Sequence, residues 1–276
     1  MRVRRVLAAT DLSTGAGLAV RRAARLAAVH DARLTVLSVI PPSLAEEHSD
    51  FVAGALDDHV AAHAGIPADV VLRTGPVSDT ILAEAADLPA DLLVLGAHGS
   101  RGLAGSRTGP TTENITHASV CPVLVVRTPA TDYETVLLAV DDTEPAHRAA
   151  QFGVALTPSA VHVLAHVSVV IGEQLLRLRG LDETDIERLR EASTAEIRPR
   201  IEELAARLDP RPHAVVIGSG TPQRALPELV SHYAADLVVI GSGSSTRFER
   251  ALLGSVAQSV LRYAPSDVLV VRGGTR

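Results

Sequence analysis

GPVSDTILAEAADLPADLLVLGAHGSRGLAGSRTGPTTENITHASVCPVLVVR, residues Gly75 to Arg127, lies without gaps over GTPQRALPELVSHYAADLVVIGSGSSTRFERALLGSVAQSVLRYAPSDVLVVR, residues Gly220 to Arg272, at a constant offset of 145. Asp91-Leu-Leu-Val-Leu-Gly96 matches Asp236-Leu-Val-Val-Ile-Gly241, Gly109 matches Gly254, and Val123-Leu-Val-Val-Arg127 matches Val268-Leu-Val-Val-Arg272. A self-similarity of this length defines the structural unit before any local reading does. Upstream, Val6-Leu-Ala-Ala-Thr-Asp11 lies over Val136-Leu-Leu-Ala-Val-Asp141 at an offset of 130. The halves therefore differ by an insertion between the two blocks, mostly from Ser168 to Pro212. The expected domains are residues 1–128 and 133–276, joined by Thr128-Pro-Ala-Thr-Asp132.

Within each half, apolar runs of four to seven residues alternate with stretches of helical periodicity, the pattern of a parallel sheet covered on both faces. Strands are expected near 3–9, 33–40, 68–73, 91–96 and 122–127, then near 135–140, 160–168, 213–218, 236–241 and 267–272. Helices are expected over 15–30, 48–63, 77–87 and 109–118, then 144–156, 182–208, 222–233 and 254–263, with Asp182 or Thr184 capping the long acidic one. The fold class is α/β, two tandem doubly wound five-stranded parallel-sheet domains with right-handed crossovers.

Composition narrows the function. The chain has 276 residues, 46% of them hydrophobic, with three Phe, three Tyr and no Trp, so aromatic base-stacking platforms are hard to build. A net charge of −6 argues against nucleic acid as a partner, because that affinity comes chiefly from neutralising phosphates. All 26 basic residues are Arg, which removes any Walker-type or Schiff-base lysine. Cys121 is the single cysteine and lies in the apolar run Val120 to Val126, read here as a buried strand; a reducing compartment is expected. The basic start meets Asp11 after a short apolar run, unlike a signal peptide, and Val161 to Ile171, the nearest approach to a membrane helix, is short and contains His162 and His166. The expected location is the cytoplasm, with no membrane partner.

In open parallel sheets, ligands bind beyond the carboxyl ends of the strands, where helix N-termini face an anion. Asp11 and Asp141 follow the first strand of their halves. After the fourth strand come Gly96-Ala-His-Gly99 leading to Gly109-Pro-Thr-Thr112, and Gly241-Ser-Gly243-Ser244 leading to Gly254-Ser-Val-Ala257. Glycine lets backbone approach a phosphate closely. A Gly-rich loop before a helix is equally a tight turn, and its recurrence at equivalent strand ends is what raises the nucleotide reading.

At these residues the chain resembles the universal stress proteins, whose nucleotide-binding members carry Gly-x2-Gly-x9-Gly-(Ser/Thr) after the fourth strand and an Asp after the first. Gly96, Gly99 and Gly109 keep that spacing, with Pro110 in place of the hydroxyl residue; Gly241, Gly254 and Ser255 keep it, with Ser244 in place of the second glycine. The resemblance implies a regulatory protein of the stress response that binds ATP or another adenine nucleotide, with Mg²⁺ as an optional companion. It implies contact to ribose or adenine from Thr10, Asp11, Val140 and Asp141, and backbone contact to adenine near Val39 and Val167. Ribose and phosphates would meet Gly96, His98, Gly99, Gly109, Thr111 and Thr112 in one half, and Gly241, Gly243, Ser244, Gly254, Ser255, Val256 and Ala257 in the other. Pro110 removes an N–H and a hydroxyl together, so the second half is expected to be the better site. The resemblance also implies that the last strands of the halves pair edge to edge, a pseudo-dimer within one chain, and that the chain associates further as a homodimer.

Other residues carry plainer readings. His59 and His63, four apart on a helix, lack a third ligand and read as a solvated face, and no metal site is expected. His162 and His166 read as packed or hydrogen-bonded, while His98 stays open between ligand contact and loop residue. Arg101, Arg107, Arg247 and Arg250 read as solvated, as does the mixed-charge helix from Glu183 to Arg207. No nucleophile elbow, Cys-x2-Cys pair or paired carboxylates are present, so no catalytic residue is assigned, slow ATP hydrolysis staying open. A nucleotide-free scaffold acting through protein contacts is the alternative function.

Overall fold

The computed structural model describes residues 2–99, 108–170, 172–243 and 253–272. The first half runs β1 (Arg5–Thr10), α1 (Thr14–His30), β2 (Arg33–Ile40), α2 (Pro42–His63), β3 (Asp69–Thr74), α3 (Val77–Asp87), β4 (Leu92–Gly96), α4 (Pro110–Ala118) and β5 (Val123–Val126). The second runs β6 (Thr135–Ala139), α5 (Glu144–Leu156), β7 (Val161–Ser168), α6 (Glu173–Leu178), α7 (Glu183–Arg207), β8 (Ala214–Ser219), α8 (Pro222–His232), β9 (Leu237–Gly241), α9 (Ser255–Tyr263) and β10 (Asp267–Val271). The strands form one ten-stranded sheet in the order β3-β2-β1-β4-β5-β10-β9-β6-β7-β8. Each half contributes the same parallel order. The two meet at the antiparallel pair β5 and β10, where Val125, Leu124 and Val123 face Val268, Leu269 and Val270. The α/β class and the edge-to-edge pairing both match the expectation.

Helices lie on both faces, as the near-continuous apolar strands require. One face packs Ala19, Val20, Leu56, Val60, Phe152 and Ile201 against the sheet, so α1, α2, α5 and α7 share it. The other packs Ile81, Ile115, Leu226, Val230 and Val260, from α3, α4, α8 and α9. Local chemistry sets the helix starts. Ser13 Oγ accepts from Ala16 N (3.2 Å) to cap α1, Thr143 Oγ1 accepts from Ala146 N (3.4 Å) to cap α5, and Asp182, the first of the two anticipated caps, accepts from Asp185 N (2.9 Å) to begin α7.

Several expectations are corrected. Val120 is exposed and β5 begins only at Val123, because Pro122 interrupts the apolar run; Cys121 is buried beside the strand. Helix α2 starts at Pro42, where proline fits a first turn, and α6 was not anticipated. Helix α7 is not solvated all round: Ile186, Ile201, Leu204 and Ala205 are buried, a stripe its many charges conceal in the sequence.

Where the halves meet, buried Asp267 at the start of β10 binds the linker region. Its Oδ1 accepts from Arg127 N (2.8 Å), Thr128 N (2.9 Å) and Thr128 Oγ1 (2.9 Å), and its Oδ2 from Arg22 Nε (3.2 Å) and Tyr133 OH (2.8 Å). Arg22 lies over the Tyr133 ring, 4.0 Å from its centroid. Across the same junction Arg262 pairs with Glu113 (2.9 Å) and Arg127 Nε donates to Ala264 O (3.2 Å).

Candidate functional site

The carboxyl ends of β6, β7 and β9 in the second half open into a cavity of about 540 Å³, within the size range of small-molecule sites. Val140, Asp141, Val167, Gly241, Gly243, Gly254, Ser255, Val256 and Ala257 all line it. Every second-half candidate among the described residues is thus at one place, and Ser244 lies outside those residues. Asp141 is held by its neighbour: Oδ1 accepts from Thr143 N (3.0 Å) and from Thr143 Oγ1. Gly243 takes φ +76°, a conformation that side chains rarely adopt, and Gly254 N donates to Ser242 O (2.9 Å), which holds the residue before α9 against the end of β9. Ser255 is the first residue of α9, and its Oγ accepts from Gln223 Nε2 (3.2 Å). The first-turn N–H groups of α9 therefore stand at the cavity wall with the positive end of the helix dipole.

Gly241 serves packing. A Cβ there would sit 3.1 Å from Ala146 Cα and 3.2 Å from Ala146 N, so glycine lets the first turn of α5 rest on the end of β9. Gly96 does the same in the first half, where a Cβ would sit 3.2 Å from Gly15 O.

The cavity has walls that sequence reasoning did not assign. Ser193, Glu196, Ile197 and Arg200 of α7 line one side, and Arg200 pairs with Asp142 on the loop before α5. His166 and Ser168 of β7 line another. The only available signal was the length of the insertion, since a helix added beside a strand end must cover that end. His162 and His166 are buried and bonded as expected: Thr157 Oγ1 lies 2.9 Å from His162 Nε2, and His166 Nδ1 lies 2.9 Å from Val140 O.

The first half is arranged differently. Thr10 Oγ1 accepts from Leu12 N (3.0 Å) and meets His59 Nε2 at 3.1 Å. His63 Nδ1 accepts from Arg21 Nε (3.0 Å), and its ring fills the space beside Gly17, where a Cβ would come within 2.6 Å of Nε2. The rings of His59 and His63 meet edge to face, 4.4 Å between centroids. The reading of these histidines as a solvated face is therefore corrected: α2 turns them inward onto α1 and the end of β1. Asp11 Oδ1 accepts from Ser13 N (3.2 Å), and Gly99 backbone lies against the same carboxylate, a Cβ at Gly99 falling 2.7 Å from Oδ2. Thr112 Oγ1 donates to Gly96 O (2.9 Å), Thr111 is exposed, and Pro110 is the first residue of α4. Val39 is half-buried near the end of β2, Gly109 precedes α4, and the buried His98 Nε2 has no hydrogen-bond partner. Arg101, Arg107, Arg247 and Arg250 lie outside the described residues.

Burial lowers the pKa of His59 below 6.5, with His63 and Arg21 adding to it against Asp11, and burial and Arg21 lower that of His63. A folded-state value below the unfolded one means that the fold prefers the neutral rings. Their contribution is complete above 6.5 and is lost as pH falls through the folded values. Melting temperature is expected to drop between pH 7 and 5, and His59→Gln/His63→Gln to flatten that drop in part, because burial lowers His162 and His117 as well. An identical pH slope in the double variant would refute this anchoring.

Fold and site together define a class: a tandem α/β protein, each half carrying a Gly-rich loop and a helix start beyond the carboxyl ends of its strands. The sequence pattern of the Universal stress protein family matches residues 2–127 and again 132–272, and the chain belongs to that family. A putative universal stress protein of Staphylococcus haemolyticus is 28% identical over 141 residues, which are 51% of this chain and 85% of that one. A relative from Staphylococcus aureus is 43% identical over 54 residues, only 32% of its own length. Among solved structures, a functionally unknown protein, PA1789, of Pseudomonas aeruginosa superposes with a TM-score of 0.70 at 22% identity, covering 98% of this chain and 92% of that one. A universal stress protein of Archaeoglobus fulgidus superposes with 0.69 at 22% identity, covering 99% and 100%. At that identity the likeness is one of fold.

Proposed function

We propose that the chain is a regulatory protein of the stress response that binds ATP, or another adenine nucleotide, in the second-half cavity. The observation that carries the reading is the convergence of Asp141, Gly243, Gly254 and the start of α9 on one cavity at a sheet's carboxyl edge. These residues fit a nucleotide. The N–H groups of α9 and the Gly243 backbone would face phosphates, and Asp141, oriented by Thr143, would accept from ribose hydroxyls. Among the described residues no group of three or more His, Cys, Asp or Glu side chains is placed to hold a metal, so Mg²⁺ would enter with the phosphates. Occupancy would act by biasing assembly, including homodimer formation, or partner binding. We place this work in the cytoplasm, where Cys121 stays reduced; no helix among the described residues is long and apolar enough to cross a membrane.

The first half favours a second reading for itself. With His59 on Thr10 and Gly99 against Asp11, it would act as a scaffold and not as a second nucleotide site. The expected stoichiometry is one nucleotide per chain. Protein purified without added ligand, denatured and chromatographed, is expected to release ATP or ADP, and Asp141→Ala to bind about tenfold more weakly, the loss of one charge-assisted contact. An empty parent that gives no heat with millimolar ATP would leave the scaffold reading for the whole chain.

A further inference from the structure

The two outer edges of the sheet are built differently. At one end β3 carries Asp69 and Arg73, paired with Arg33 (2.9 Å) and Glu84 (2.7 Å), charges of the kind that keep an edge from pairing with another chain. At the other end β8 reads Ala214-Val-Val-Ile-Gly-Ser219, half-buried throughout and without a charged residue. Among the described residues it has a neighbouring strand on one side only. Its parallel register sets Ala214–Ser219 against Val163–Ser168, and Gly220 N donates to Ser168 O (2.9 Å). Backbone groups alternate in direction along a strand. Ala214, Val216 and Gly218 therefore turn theirs to β7, and Val215, Ile217 and Ser219 turn theirs outward, a row of donors and acceptors ready for another strand.

A groove of about 340 Å³ lies beside this edge, between Ile217, Gly218 and Ser219 and the side of α7 that carries Glu187, Glu191, Thr194 and Arg198. The helix runs against the strands it connects, so its acidic first half stands at the carboxyl end of β8. Arg211 stands at the opposite end, just before the strand begins. Glu191 and Arg211 are both exposed, and neither pairs with an opposite charge among the described residues.

We infer that a second copy of the chain adds to this edge, β8 against β8, antiparallel about a two-fold axis. This gives a surface to the homodimer proposed above and rests on that part of the reading. The axis turns the strand end for end, so Arg211 of each copy comes to the Glu191 end of the other, and the charge pair forms twice. The outward groups of Val215, Ile217 and Ser219 bond to the same groups of the second copy, and two ten-stranded sheets continue as one. The chain already uses this mode internally, at the antiparallel pair of β5 and β10. A strand from another protein would supply the hydrogen bonds without the matched charges.

The test is sedimentation equilibrium of the full chain across the micromolar range, where the parent is expected to show a reversible monomer–dimer equilibrium. Glu191→Arg, a change at an exposed site, sets like charges together twice and is expected to raise the dimer dissociation constant about tenfold. Glu191→Arg/Arg211→Glu is expected to return it to within about threefold of the parent, because the pair is restored with its signs exchanged. Val215→Pro removes an outward N–H that no bond within the chain uses, and proline is tolerated on an edge strand. That variant is expected to stay monomeric at concentrations where the parent is dimeric. Parent-like dimerisation of either single variant would overturn the β8 surface and leave self-association to another face. A parent that is monomeric throughout would overturn the homodimer and this surface together.

Discussion

Asp267→Ala is expected to lower the melting temperature of the chain by about 10 °C. Asp267 is fully buried, and its two oxygens accept five hydrogen bonds, from Arg22, Arg127, Tyr133 and twice from Thr128. Removing it leaves the Arg22 guanidinium, itself 2% exposed, without its counter-charge. Breaking a buried ion pair from one side costs about 3–5 kcal/mol, because the remaining charge stays desolvated. For a chain of this size each kcal/mol moves the midpoint by about 2–4 °C. Arg22 also donates to Pro129 O (3.0 Å) and Thr131 O, so the orphaned cation sits against the segment that joins the halves. Faster proteolysis between residues 128 and 134 should accompany the drop. Calorimetry decides it, and Arg22→Met/Asp267→Ala separates pairing from packing. The double variant is expected to recover part of the loss, since an apolar replacement of both partners removes the desolvation cost together with the attraction. A single variant that melts within 2 °C of the parent would refute the role given to Asp267.

This junction shows where sequence reading stopped. The repeat predicted two units and the strands of each, and the family resemblance implied the pairing of Val123–Val126 with Val268–Val271, an apolar edge that needs a partner. The offset of 145 pairs Asp267 with Pro122, so the residue that fastens the halves has no counterpart in the repeat. Its partners are 139 and 140 residues away for Thr128 and Arg127 and 245 for Arg22, distances over which a single sequence carries no pairing signal. The candidate site divides in the same way. Asp141, Gly241 and Gly254 were legible from spacing after a strand. The inward turn of His59 and His63 was not, since two histidines four apart look alike whether the helix faces water or a neighbour. The apolar stripe of α7 was hidden by Arg and Glu side chains on its other faces, and with it went the cavity wall of Glu196 and Arg200. His166 was legible as a packed or hydrogen-bonded residue, but not as part of the cavity wall.

Gly241→Val is expected to reduce nucleotide affinity about a hundredfold or more, through the scaffold and not through lost contacts of its own. The Cβ of any residue at 241 falls 3.1–3.2 Å from backbone atoms of Ala146 and Pro145, tighter than ordinary contact. Because the obstacle is helix backbone, α5 must shift as a body, and a branched side chain enlarges the shift. Asp141 and its cap Thr143 precede that helix by one short loop, so the carboxylate moves with it while Gly254 and α9 stay on β9. The misplaced Asp141 contact and the cavity wall of Thr143 and Ala146, which moves with α5, at about 1.4 kcal/mol each amount to a hundredfold. The same overpacking costs about 1–3 kcal/mol of stability, so the variant should fold and be measurable. Gly241→Ala is expected to fall between Val and the parent, whereas Gly218→Ala, whose Cβ would meet nothing within 4 Å, should leave both affinity and melting unchanged. The order Gly, Ala, Val at 241 is the informative result. Affinity that follows that series ties the site to the seating of α5 on β9, and affinity indifferent to it would mean that the nucleotide does not depend on Asp141 at all.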